Sequence, residues 1–254
     1  MTSYERRQQI LTLLLKNKTL TNEELQSTFT VSASTIRNDL SALQNKRQLK
    51  RTHGGAVLYD EIDSNLSFKN RQSKNQLEKS LICKRAADFL EEGQCIALDA
   101  SSTALLFTKY LTKFSRLTVV TNGLYTAMAL KDFPNLKVIL IGGLVSCNSG
   151  SIEGILGKEI ISKINIDTAF ISARGFTIDE GLTDFNIYEC ELKRLIVDSA
   201  STTVALLDYS KFETHSTTSF AESSKVKTII TDDKIPLEVL EKYKQNNINV
   251  IIAK

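Results

Sequence analysis

The stretch SASTIRNDLSALQNKRQLKRTHGGA, residues 32–56, decides how the N-terminal part of this chain folds. Ile36, Leu40 and Leu43 recur at the spacing of one apolar helical stripe, while small polar side chains occupy the opposite face. Ser32 has the hydroxyl that a helix N-cap uses, and a basic run followed by Gly-Gly comes after the helix. In isolation this pattern fits a solvated helix with a basic tail as well as a helix that reads nucleic acid.

Two further elements before this helix favour the nucleic-acid interpretation. Residues 4–17 carry an apolar helical stripe, and Thr21 and Glu24 have the spacing of a capping box that begins a second, short helix. Two helices joined by a short turn after a leading helix are typical of a helix-turn-helix. Residues 48–59 then predict a small hairpin around the Gly-Gly turn, which completes a winged helix-turn-helix. The alternative use of such a module is to dock another protein.

The charge distribution separates this N-terminal part from the rest of the 254-residue chain. The net charge is only +3, but residues 1–56 hold nine Lys and Arg against four Asp and Glu, whereas the remainder holds 23 against 25. A basic segment on a near-neutral body indicates a nucleic-acid-binding head. The sequence has neither an apolar run long enough to cross a membrane nor an apolar leader, so we expect a cytoplasmic protein without a membrane partner.

Four scattered cysteines and two histidines limit the redox and metal chemistry that we expect. Cys83, Cys95, Cys147 and Cys190 include no C-x-x-C pair, which fits free thiols in a reducing compartment. With so few histidines, a His-based zinc site is not expected, and no cofactor is predicted.

The pattern changes after a polar linker at residues 59–74. Strands are predicted at residues 95–98, 117–120, 136–141, 168–172, 203–207, 226–230 and 249–252, and helices at residues 75–92, 103–114, 124–131, 155–164, 187–199 and 236–246. Strands that alternate with helices indicate an α/β domain with a largely parallel sheet. The predicted organisation is a head at residues 1–58, the linker, and an α/β domain at residues 75–254.

Small polar residues follow the predicted strands, and in open α/β sheets the ligand crevice lies at the carboxyl ends of the strands. These residues are Asp99, Ser101, Ser102, Thr103, Thr121, Asn122, Gly123, Gly142, Gly143, Arg174, Asp208 and Lys211. The Ser-Ser-Thr run opens a helix, where free N–H groups attract an anion such as phosphate. Each residue alone is also explained as a cap, a turn or a surface pair, but the set predicts a small polar ligand. The absence of a Walker or G-x-G-x-x-G loop argues against a nucleotide enzyme.

These residues together resemble the DeoR family of bacterial sugar-responsive transcription regulators, over essentially the whole chain. In the head the most specific match is Lys50-Arg51-Thr52-His53-Gly54-Gly55-Ala56, after Ser34-Thr35-Ile36-Arg37 and Asp39-Leu40. In the body the family's pattern is met at Leu98-Asp99, Thr121-Asn122, Gly142-Gly143, Asp167, Gly181-Leu182-Thr183, Glu189, Lys193-Arg194 and Ser210-Lys211-Phe212. The resemblance implies a winged-helix head and an α/β sensor domain that looks like ribose-5-phosphate isomerase A.

The resemblance also implies two binding surfaces. The residues expected to contact double-stranded operator DNA are Arg6, Thr21, Ser32, Ser34, Thr35, Arg37, Asn38, Ser41, Lys50, Arg51, His53 and Gly54. Those expected to bind a phosphorylated sugar are Asp99, Ser101, Ser102, Thr103, Thr121, Asn122, Gly123, Gly142, Gly143, Asp167, Arg174, Glu189, Lys193 and Lys211. Family members are typically repressors of carbohydrate-use genes that work as dimers or tetramers, and their effector commonly weakens operator binding.

Three positions depart from the family's pattern. Asn38 stands where Arg is usual, which either weakens a phosphate contact or turns an amide toward a base, adenine being the base that suits Asn. Arg47 replaces the usual Gly after the recognition helix, so that helix is expected to end differently. Ser101 replaces the usual Gly of the phosphate loop, which is expected to narrow the pocket.

The sequence therefore predicts a DNA-binding regulator whose operator binding responds to a phosphorylated sugar, and not an enzyme. The alternative from another class is a sugar-phosphate isomerase with a regulatory head. Asp99, Asp167, Glu189 and Lys211 supply acid–base groups for such a reaction. Turnover of pentose or hexose phosphates distinguishes the two functions.

Overall fold

The computed structural model describes residues 1–17, 19–45, 48–52, 54–58, 68–146 and 149–254. Their contacts divide the chain into two compact units, Met1–Arg71 and Gln72–Lys254. Residues 59–67, the larger part of the expected linker, lie outside the described residues, so the linker boundaries stay a prediction.

The described residues of the N-terminal unit form a winged helix-turn-helix head. Its elements are α1 (Ser3–Asn17), β1 (Thr19–Thr21), α2 (Asn22–Phe29), α3 (Ala33–Asn45), β2 (Leu49–Arg51) and β3 (Gly55–Leu58). The strands form an antiparallel sheet in the order β1-β3-β2. The predicted helices and hairpin are confirmed. Strand β1 was not predicted, because three residues are too few to show an alternating pattern.

Helix α2 begins with the predicted capping box. Thr21 Oγ1 accepts a hydrogen bond from Glu24 N at 3.1 Å, and Thr21 N donates to Glu24 Oε2 at 2.7 Å. That bond from the Thr21 backbone holds the pKa of Glu24 below its usual value. The helix ends at Thr30, whose left-handed φ of 52° turns the chain toward α3.

The head packs its helices around one apolar cluster. The buried side chains include Ile10, Leu14, Leu25, Ile36, Leu40, Leu43 and Leu49. Full burial of each contributes roughly 1.5–3 kcal/mol. Because a unit of this size buries only a marginal apolar core, polar contacts inside it matter for its stability.

A buried ion pair joins α1 to α3 beside that cluster. Asp39 Oδ2 accepts a hydrogen bond from Arg6 Nε at 2.5 Å, and Asp39 Oδ1 accepts one from Arg7 Nε at 2.7 Å. Asp39 is 1% exposed and Arg6 9%. The expected place of Arg6 on the polar side of α1 is therefore wrong, because Asp39 draws its guanidinium into the head, and its contact with DNA stays a prediction.

A parallel seven-stranded sheet organises the C-terminal unit, as predicted. In chain order the strands of this unit are β4 (Cys95–Leu98), β5 (Leu117–Thr121), β6 (Leu136–Leu140), β7 (Leu144–Val145), β8 (Ile152–Glu153), β9 (Ile166–Ile171), β10 (Gly175–Thr177), β11 (Gly181–Asp184), β12 (Ala200–Leu206), β13 (Thr218–Ala221), β14 (Thr228–Thr231) and β15 (Val250–Ile252). The main sheet has the order β15-β14-β12-β9-β4-β5-β6, with every neighbouring pair parallel. The chain thus starts in the middle of the sheet, builds one side to β6 and then the other from β9.

Helices cover both faces of this sheet. They are α5 (Gln76–Ala86), α6 (Ser102–Leu111), α7 (Leu124–Leu130), α8 (Lys158–Ile161), α9 (Ile187–Ser199) and α10 (Leu237–Gln245), and α4 (Phe68–Ser73) precedes them in the chain. Alternate residues of β9 enter different apolar clusters, with Phe170 in one and Ala169 and Ile171 in the other. Because both faces are buried, the strands read as continuous apolar runs.

The structure differs from the predicted elements in four places. Residues 68–73, expected in the linker, form α4, and the helix expected at residues 75–92 ends as α5 with a 3₁₀ turn at Ala87–Phe89. The helix expected at residues 155–164 is a 3₁₀ turn, Ile155–Gly157, followed by the short α8. Two small antiparallel sheets, β7-β8 and β10-β11-β13, were not predicted, because strands of two to four residues show no clear period.

The described cysteines are free thiols. Cys83 and Cys190 are buried and Cys95 is half-buried, whereas Cys147 lies outside the described residues. Burial raises the pKa of the Cys83 thiol to about 12 and that of Cys190 to about 11. These two side chains therefore act as small apolar residues of the core.

The Asp39 pair generates a stability prediction for the head. Asp39→Asn leaves two guanidinium groups without their carboxylate, and breaking a buried pair in this way costs about 3–5 kcal/mol. We expect hydrogen exchange of the amides in α1 and α3 to become faster by at least tenfold. The matched control is Asn38→Ala at the exposed neighbouring position, which should leave exchange unchanged. Equal exchange in Asp39→Asn and the unaltered chain would contradict a structural role for the pair.

Candidate functional site

The exposed face of α3, together with Ser32 at its start, carries half of the twelve residues expected to contact DNA. Ser34, Arg37 and Asn38 are exposed, and Thr35 is partly exposed. Ser32 Oγ lies 2.8 Å from Ser34 Oγ and accepts a bond from Thr35 N at 3.3 Å, so Ser32 caps the helix as predicted. The face therefore presents short hydroxyls, one guanidinium and one amide, which are groups that contact phosphates and base edges.

The wing is attached to this helix by two hydrogen bonds. Arg51 Nη1 donates to Ser41 Oγ at 2.8 Å, and Arg51 N donates to Gln44 Oε1 at 2.9 Å. Lys50 and Gly54 are exposed on the hairpin. His53 and Arg47 lie outside the described residues, so their predicted roles stay predictions. The hydroxyl of Thr21 is engaged in the α2 cap.

In the C-terminal unit, the strand order of the main sheet reverses at its centre, which is the place where open α/β sheets bind ligands. The reversal lies between β4 and β9, whose connections leave in opposite directions from the centre of the sheet. Asp99 follows β4 and Ser172 follows β9, and Asp99 Oδ2 accepts a hydrogen bond from Ser172 N at 3.0 Å. Asp99 is therefore fixed at this edge of the sheet, and we call the group of polar residues around it the edge site. Its core residues are Asp99, Ser101, Ser102, Asn122, Ser172, Asp184, Glu189 and Lys193.

A buried ammonium group holds the edge site together. Lys193 Nζ lies 2.8 Å from Asp184 Oδ2, 3.2 Å from Asp99 Oδ2 and 3.7 Å from Glu189 Oε1, and it donates to Ser172 O at 3.1 Å. Burial by itself lowers the pKa of Lys193, but the three carboxylates outweigh burial and raise it above its ordinary value. Lys193 is therefore a fixed cation, outnumbered by its acidic neighbours.

The start of α6 forms the second part of the edge site. Ser101 Oγ accepts from Ala104 N at 3.0 Å, so the residue that replaces the family's usual Gly caps the helix. Lys79 Nζ donates to Ser102 Oγ at 3.1 Å, and Lys79 is itself buried. Thr103 is buried in the same first turn. A cation and the N-terminal end of a helix thus meet here, which is a combination that binds anions.

The loop after β5 forms the third part. Gly123 N donates to Thr121 Oγ1 at 3.0 Å, and Asn122 Nδ2 donates to Ile152 O at 3.1 Å. Asn122 is fully buried, and its Oδ1 has no hydrogen-bond partner among the described residues. A buried acceptor without a donor is costly, so this oxygen is a point where a ligand hydroxyl can bind.

The glycines after β6 bring the β7-β8 hairpin close to the site. A Cβ on Gly143 would lie 2.4 Å from the carbonyl oxygen of Glu153, so only glycine fits at this approach. Ser151 Oγ donates to Glu153 Oε1 at 3.1 Å and to Glu189 Oε2 at 3.4 Å, which links the hairpin to the edge site. Gly142 is exposed and has open space around it.

Three further predicted ligand residues lie at different distances from the edge site. Arg174 Nε lies 3.9 Å from Asp184 Oδ1, with its guanidinium 4.8 Å from the centre of the Phe185 ring, so it borders the site. Lys211 ends the 3₁₀ turn after β12, at the same edge of the sheet. Asp167 is a correction, because it is the second residue of β9 and accepts a hydrogen bond from Cys95 N at 2.8 Å, at the opposite edge.

Sequence reasoning missed several residues that the structure brings into the edge site. Lys79, Asp184 and Ser172 contact residues of the predicted set directly. Lys79 falls on the buried side of α5, and a lysine at a buried position requires an acceptor nearby. That signal was available for Lys79, whereas Asp184 follows the family match Gly181-Leu182-Thr183 on β11, and that match did not mark it as a site residue.

Two features are absent from the part of the chain that the structure describes. Among its residues, no group of three or more His, Cys, Asp or Glu side chains is arranged to hold a metal ion. Within the same residues, no helix has the length and apolar character needed to cross a bilayer.

The buried Lys193 generates a prediction about stability and pH. Lys193→Met leaves three carboxylates without their cation, so we expect a loss of about 3–5 kcal/mol at neutral pH. The folded pKa of Lys193 lies above its ordinary 10.5, so its contribution is complete below pH 10.5 and is lost as the pH rises through the folded pKa. Urea unfolding at several pH values should show a gap between the variant and the unaltered chain that is constant from pH 7 to 10 and narrows above.

The control for this experiment is Lys163→Met, which removes an exposed lysine paired with Glu159 on the surface. Such pairs are worth about 0–1 kcal/mol, so little change is expected. Equal stability of Lys193→Met and Lys163→Met at pH 7 would show that the buried cluster has no role in holding the site.

Comparison with known proteins finds two family models that together span most of the chain. A DeoR-like helix-turn-helix domain matches residues 6–61, and a DeoR C terminal sensor domain matches residues 74–233. The chain is 48% identical to the HTH-type transcriptional regulator GolR of Listeria innocua serovar 6a, with 100% of both chains covered. It is 35% identical to the L-fucose operon activator of Haemophilus influenzae, covering 90% of this chain and 92% of the relative. With the glycerol-3-phosphate regulon repressor of Escherichia coli K12 it shares 28% identity, over 98% and 99% of the two chains.

Solved structures show more distant likenesses. Ribose 5-phosphate isomerase A of Methanocaldococcus jannaschii aligns with a TM-score of 0.40 and 17% identity, over 55% of each chain. The delta subunit of eIF2B from Chaetomium thermophilum aligns with a TM-score of 0.42 and 13% identity, over 82% of this chain and 74% of the other. At such low identity and TM-score, these similarities say nothing about the chemistry of this chain.

Proposed function

This chain belongs to the DeoR family of transcription regulators, and on that premise we propose that it is a repressor of carbohydrate-use genes whose operator binding is weakened by a phosphorylated sugar. The head reads double-stranded operator DNA, and the edge site binds the effector. Because a regulator of this kind reads chromosomal DNA, it acts in the cytoplasm. It works as a homodimer or homotetramer, since paired helix-turn-helix heads read two half-sites.

The exposed face of α3 supports the reading of DNA. The Arg37 guanidinium suits bidentate contact with guanine, and the Asn38 amide suits adenine. Asp39 fixes the helix from behind through α1, and the Arg51–Ser41 bond fixes the wing relative to it. The reading side chains therefore project from a helix held on two sides, which reduces the ordering needed when DNA binds.

The division of charge in the edge site supports a phosphorylated sugar, and this observation carries the proposal. Around Lys193 the acidic groups are in excess, which disfavours a phosphate and favours ligand hydroxyls that donate to carboxylates. At the start of α6, by contrast, Lys79 and the helix N-terminus favour an anion. The unpartnered Asn122 Oδ1 adds a further acceptor for a hydroxyl. A ligand with hydroxyls at one end and a phosphate at the other satisfies both parts.

The alternative function, a sugar-phosphate isomerase, is not favoured. Asp167, one of the expected acid–base groups, lies at the opposite edge of the sheet. Lys193 is held by three carboxylates, with its pKa raised, so it is a poor proton acceptor at neutral pH. The relatives named above are regulators, in agreement with the expectation that the chain is not an enzyme.

The proposal is tested by titrating a labelled operator duplex with the full chain and then adding phosphorylated sugars. A thermal-shift screen against pentose and hexose phosphates selects the compounds. We expect the matching sugar phosphate to raise the transition temperature and to weaken operator binding by about 5–150-fold, the range of 1–3 kcal/mol that is common for coupled sites. The unphosphorylated sugar is the matched control and should do neither. If no sugar phosphate changes operator affinity, effector gating is wrong.

The recognition face generates a prediction about DNA affinity. Arg37→Ala should lower the affinity for operator DNA by roughly 1–3 kcal/mol if the guanidinium contacts a base. Fluorescence anisotropy measures the affinity for the operator and for duplexes that are altered one base pair at a time. A base contact gives relaxed specificity at one position, whereas a phosphate contact gives a uniform loss and a smaller salt slope. An unchanged affinity would remove Arg37 from the interface.

The edge site generates a prediction that separates sensing from DNA binding. Asn122→Ala removes the unpartnered acceptor and the bond to Ile152, so we expect weaker effector binding with operator affinity retained. Isothermal titration with the selected sugar phosphate and anisotropy with the operator measure the two properties. Loss of both properties together, with a lowered transition temperature, would indicate misfolding instead of a role in sensing.

A further inference from the structure

A cavity of about 410 Å³ lies beside α6 in the C-terminal unit, and we call it the α6 groove. It is lined by the segment that enters α5, by one face of α6 and by the end of α7 with the turn that follows. Small-molecule sites in proteins usually have volumes of about 300–1,000 Å³, so the α6 groove has room for a small ligand.

The helical period explains why α6 contributes one long wall. Five lining residues of this helix and its C-cap follow the spacing i, i+3, i+4, i+7 and i+10, and therefore share one face. They are Ser102, Leu105, Leu106, Lys109 and Thr112. The distance from the first to the last is roughly 15 Å along the helix axis, so the groove extends along the whole of α6.

The α6 groove is distinct from the edge site. Among the described residues that line it, only Ser102 belongs to the core set of the edge site. Helix α6 links the neighbouring parallel strands β4 and β5, so it runs back from the carboxyl ends of the strands toward the start of β5. The groove therefore leads away from Asp99 and Lys193, toward Phe133 in the turn before β6.

The charge of the groove favours an anion. Lys79 and Lys109 line it, and none of its described lining residues is acidic. Lys79 is 6% exposed, and its ammonium donates to two uncharged oxygens, Lys74 O at 2.8 Å and Ser102 Oγ at 3.1 Å. Both lysines also act on the Cys83 thiol, where their charges oppose the rise in pKa that burial causes. Two positive charges therefore act on one region between α5 and α6.

Apolar side chains line the groove between these charges and its far end. Leu105 and Leu106 are partly exposed, and Phe133 is 38% exposed. A sugar is a poor occupant of such a surface, because burying its hydroxyls against apolar side chains without hydrogen-bond partners is costly. An alkyl or aryl group is stabilised by the same burial.

We propose that the α6 groove is a second ligand site, which binds a small organic carboxylate with an alkyl or aryl body. The body lies against the two leucines and Phe133, and the two lysines attract the carboxylate. Gln72 and Gln76, which are exposed at the groove, carry amide N–H groups that can donate to the same carboxylate. This site lies beyond the effector site of the proposed function, and its ligand belongs to a different chemical class from a sugar phosphate.

Isothermal titration of the full chain, without DNA or any sugar, tests the site with octanoate as the probe. Octanoate should bind with saturation, at one molecule per chain. The matched compound is 1-octanol, which has the same alkyl body without the charge. It should bind about tenfold or more weakly, because it lacks the charge-assisted hydrogen bonds of the carboxylate.

A charge-reversing variant tests the role of the cations. Lys109→Glu should weaken octanoate binding by at least about tenfold, because two carboxylates then meet in the groove. The same variant should bind 1-octanol as the unaltered chain does, which also shows that the groove is still folded. The matched control is Lys84→Glu, at an exposed lysine of α5 outside the groove, and it should bind octanoate like the unaltered chain.

A fluorescent reporter places the probe in the molecule. The chain has no tryptophan, so a single one introduced in the groove reports its occupancy. In Phe133→Trp, octanoate should change the fluorescence with the affinity that calorimetry gives, and inorganic phosphate should leave it unchanged. Tyr188→Trp, at an exposed position of α9, is the control reporter and should not respond to octanoate.

Several outcomes would each overturn the proposal. Octanoate that does not saturate, or that binds no more tightly than 1-octanol, would mean that the groove does not select an anion with an apolar body. Equal losses in Lys109→Glu and Lys84→Glu, equal responses of the two reporters, or a response of Phe133→Trp to phosphate would contradict the location or the ligand class. Because the samples contain neither operator nor sugar phosphate, failure of the proposed function in its own titration leaves this result unaffected.

Discussion

The ammonium of Lys193 is the interaction on which the C-terminal unit depends. It joins Asp99 at the end of β4, the Ser172 carbonyl at the end of β9, Asp184 on β11 and Glu189 on its own helix. These contacts close the point where the strand order of the parallel sheet reverses. Desolvating one cation is costly, and three carboxylates offset that cost only when their geometry is fixed. The cluster therefore fixes the relative positions of these polar groups.

A buried ion pair also fixes the head, but here the central group is an anion and its partners are cations. Asp39 occupies a buried position of α3, and two arginines of α1 neutralise it. A small apolar cluster alone leaves the angle of a helix poorly specified, whereas an ion pair with fixed geometry specifies it. Arg6, which the sequence analysis assigned to DNA contact, is buried in this ion pair. Basic charge near a recognition helix is therefore no direct measure of phosphate contact.

A feature of this structure was predictable from the sequence when its signal is local in the chain. The parallel strands and long helices were predictable, because apolar runs and a 3.6-residue period are local. The edge site was predictable in outline, since polar residues such as Asp99 and Asn122 follow successive strands. The partners of buried charges were not, because Lys193 and Asp184 meet through tertiary contacts that no spacing encodes. Asp167 was misplaced for the same reason: a family motif gives residue identity without saying which end of a strand it occupies.

The edge site is connected to the β7-β8 hairpin through one residue, Asn122. The carboxylates around Lys193 are held in place by that ammonium, so a ligand hydroxyl that donates to them meets fixed acceptors. Asn122 is different, since its Oδ1 has no partner among the described residues while its amide and carbonyl hold Ile152 of β8. A donor bound to that oxygen would therefore contact a loop that is hydrogen-bonded to the β7-β8 hairpin. The Lys193 cluster thus fixes one part of the edge site, and Asn122 links the other part to the β7-β8 hairpin.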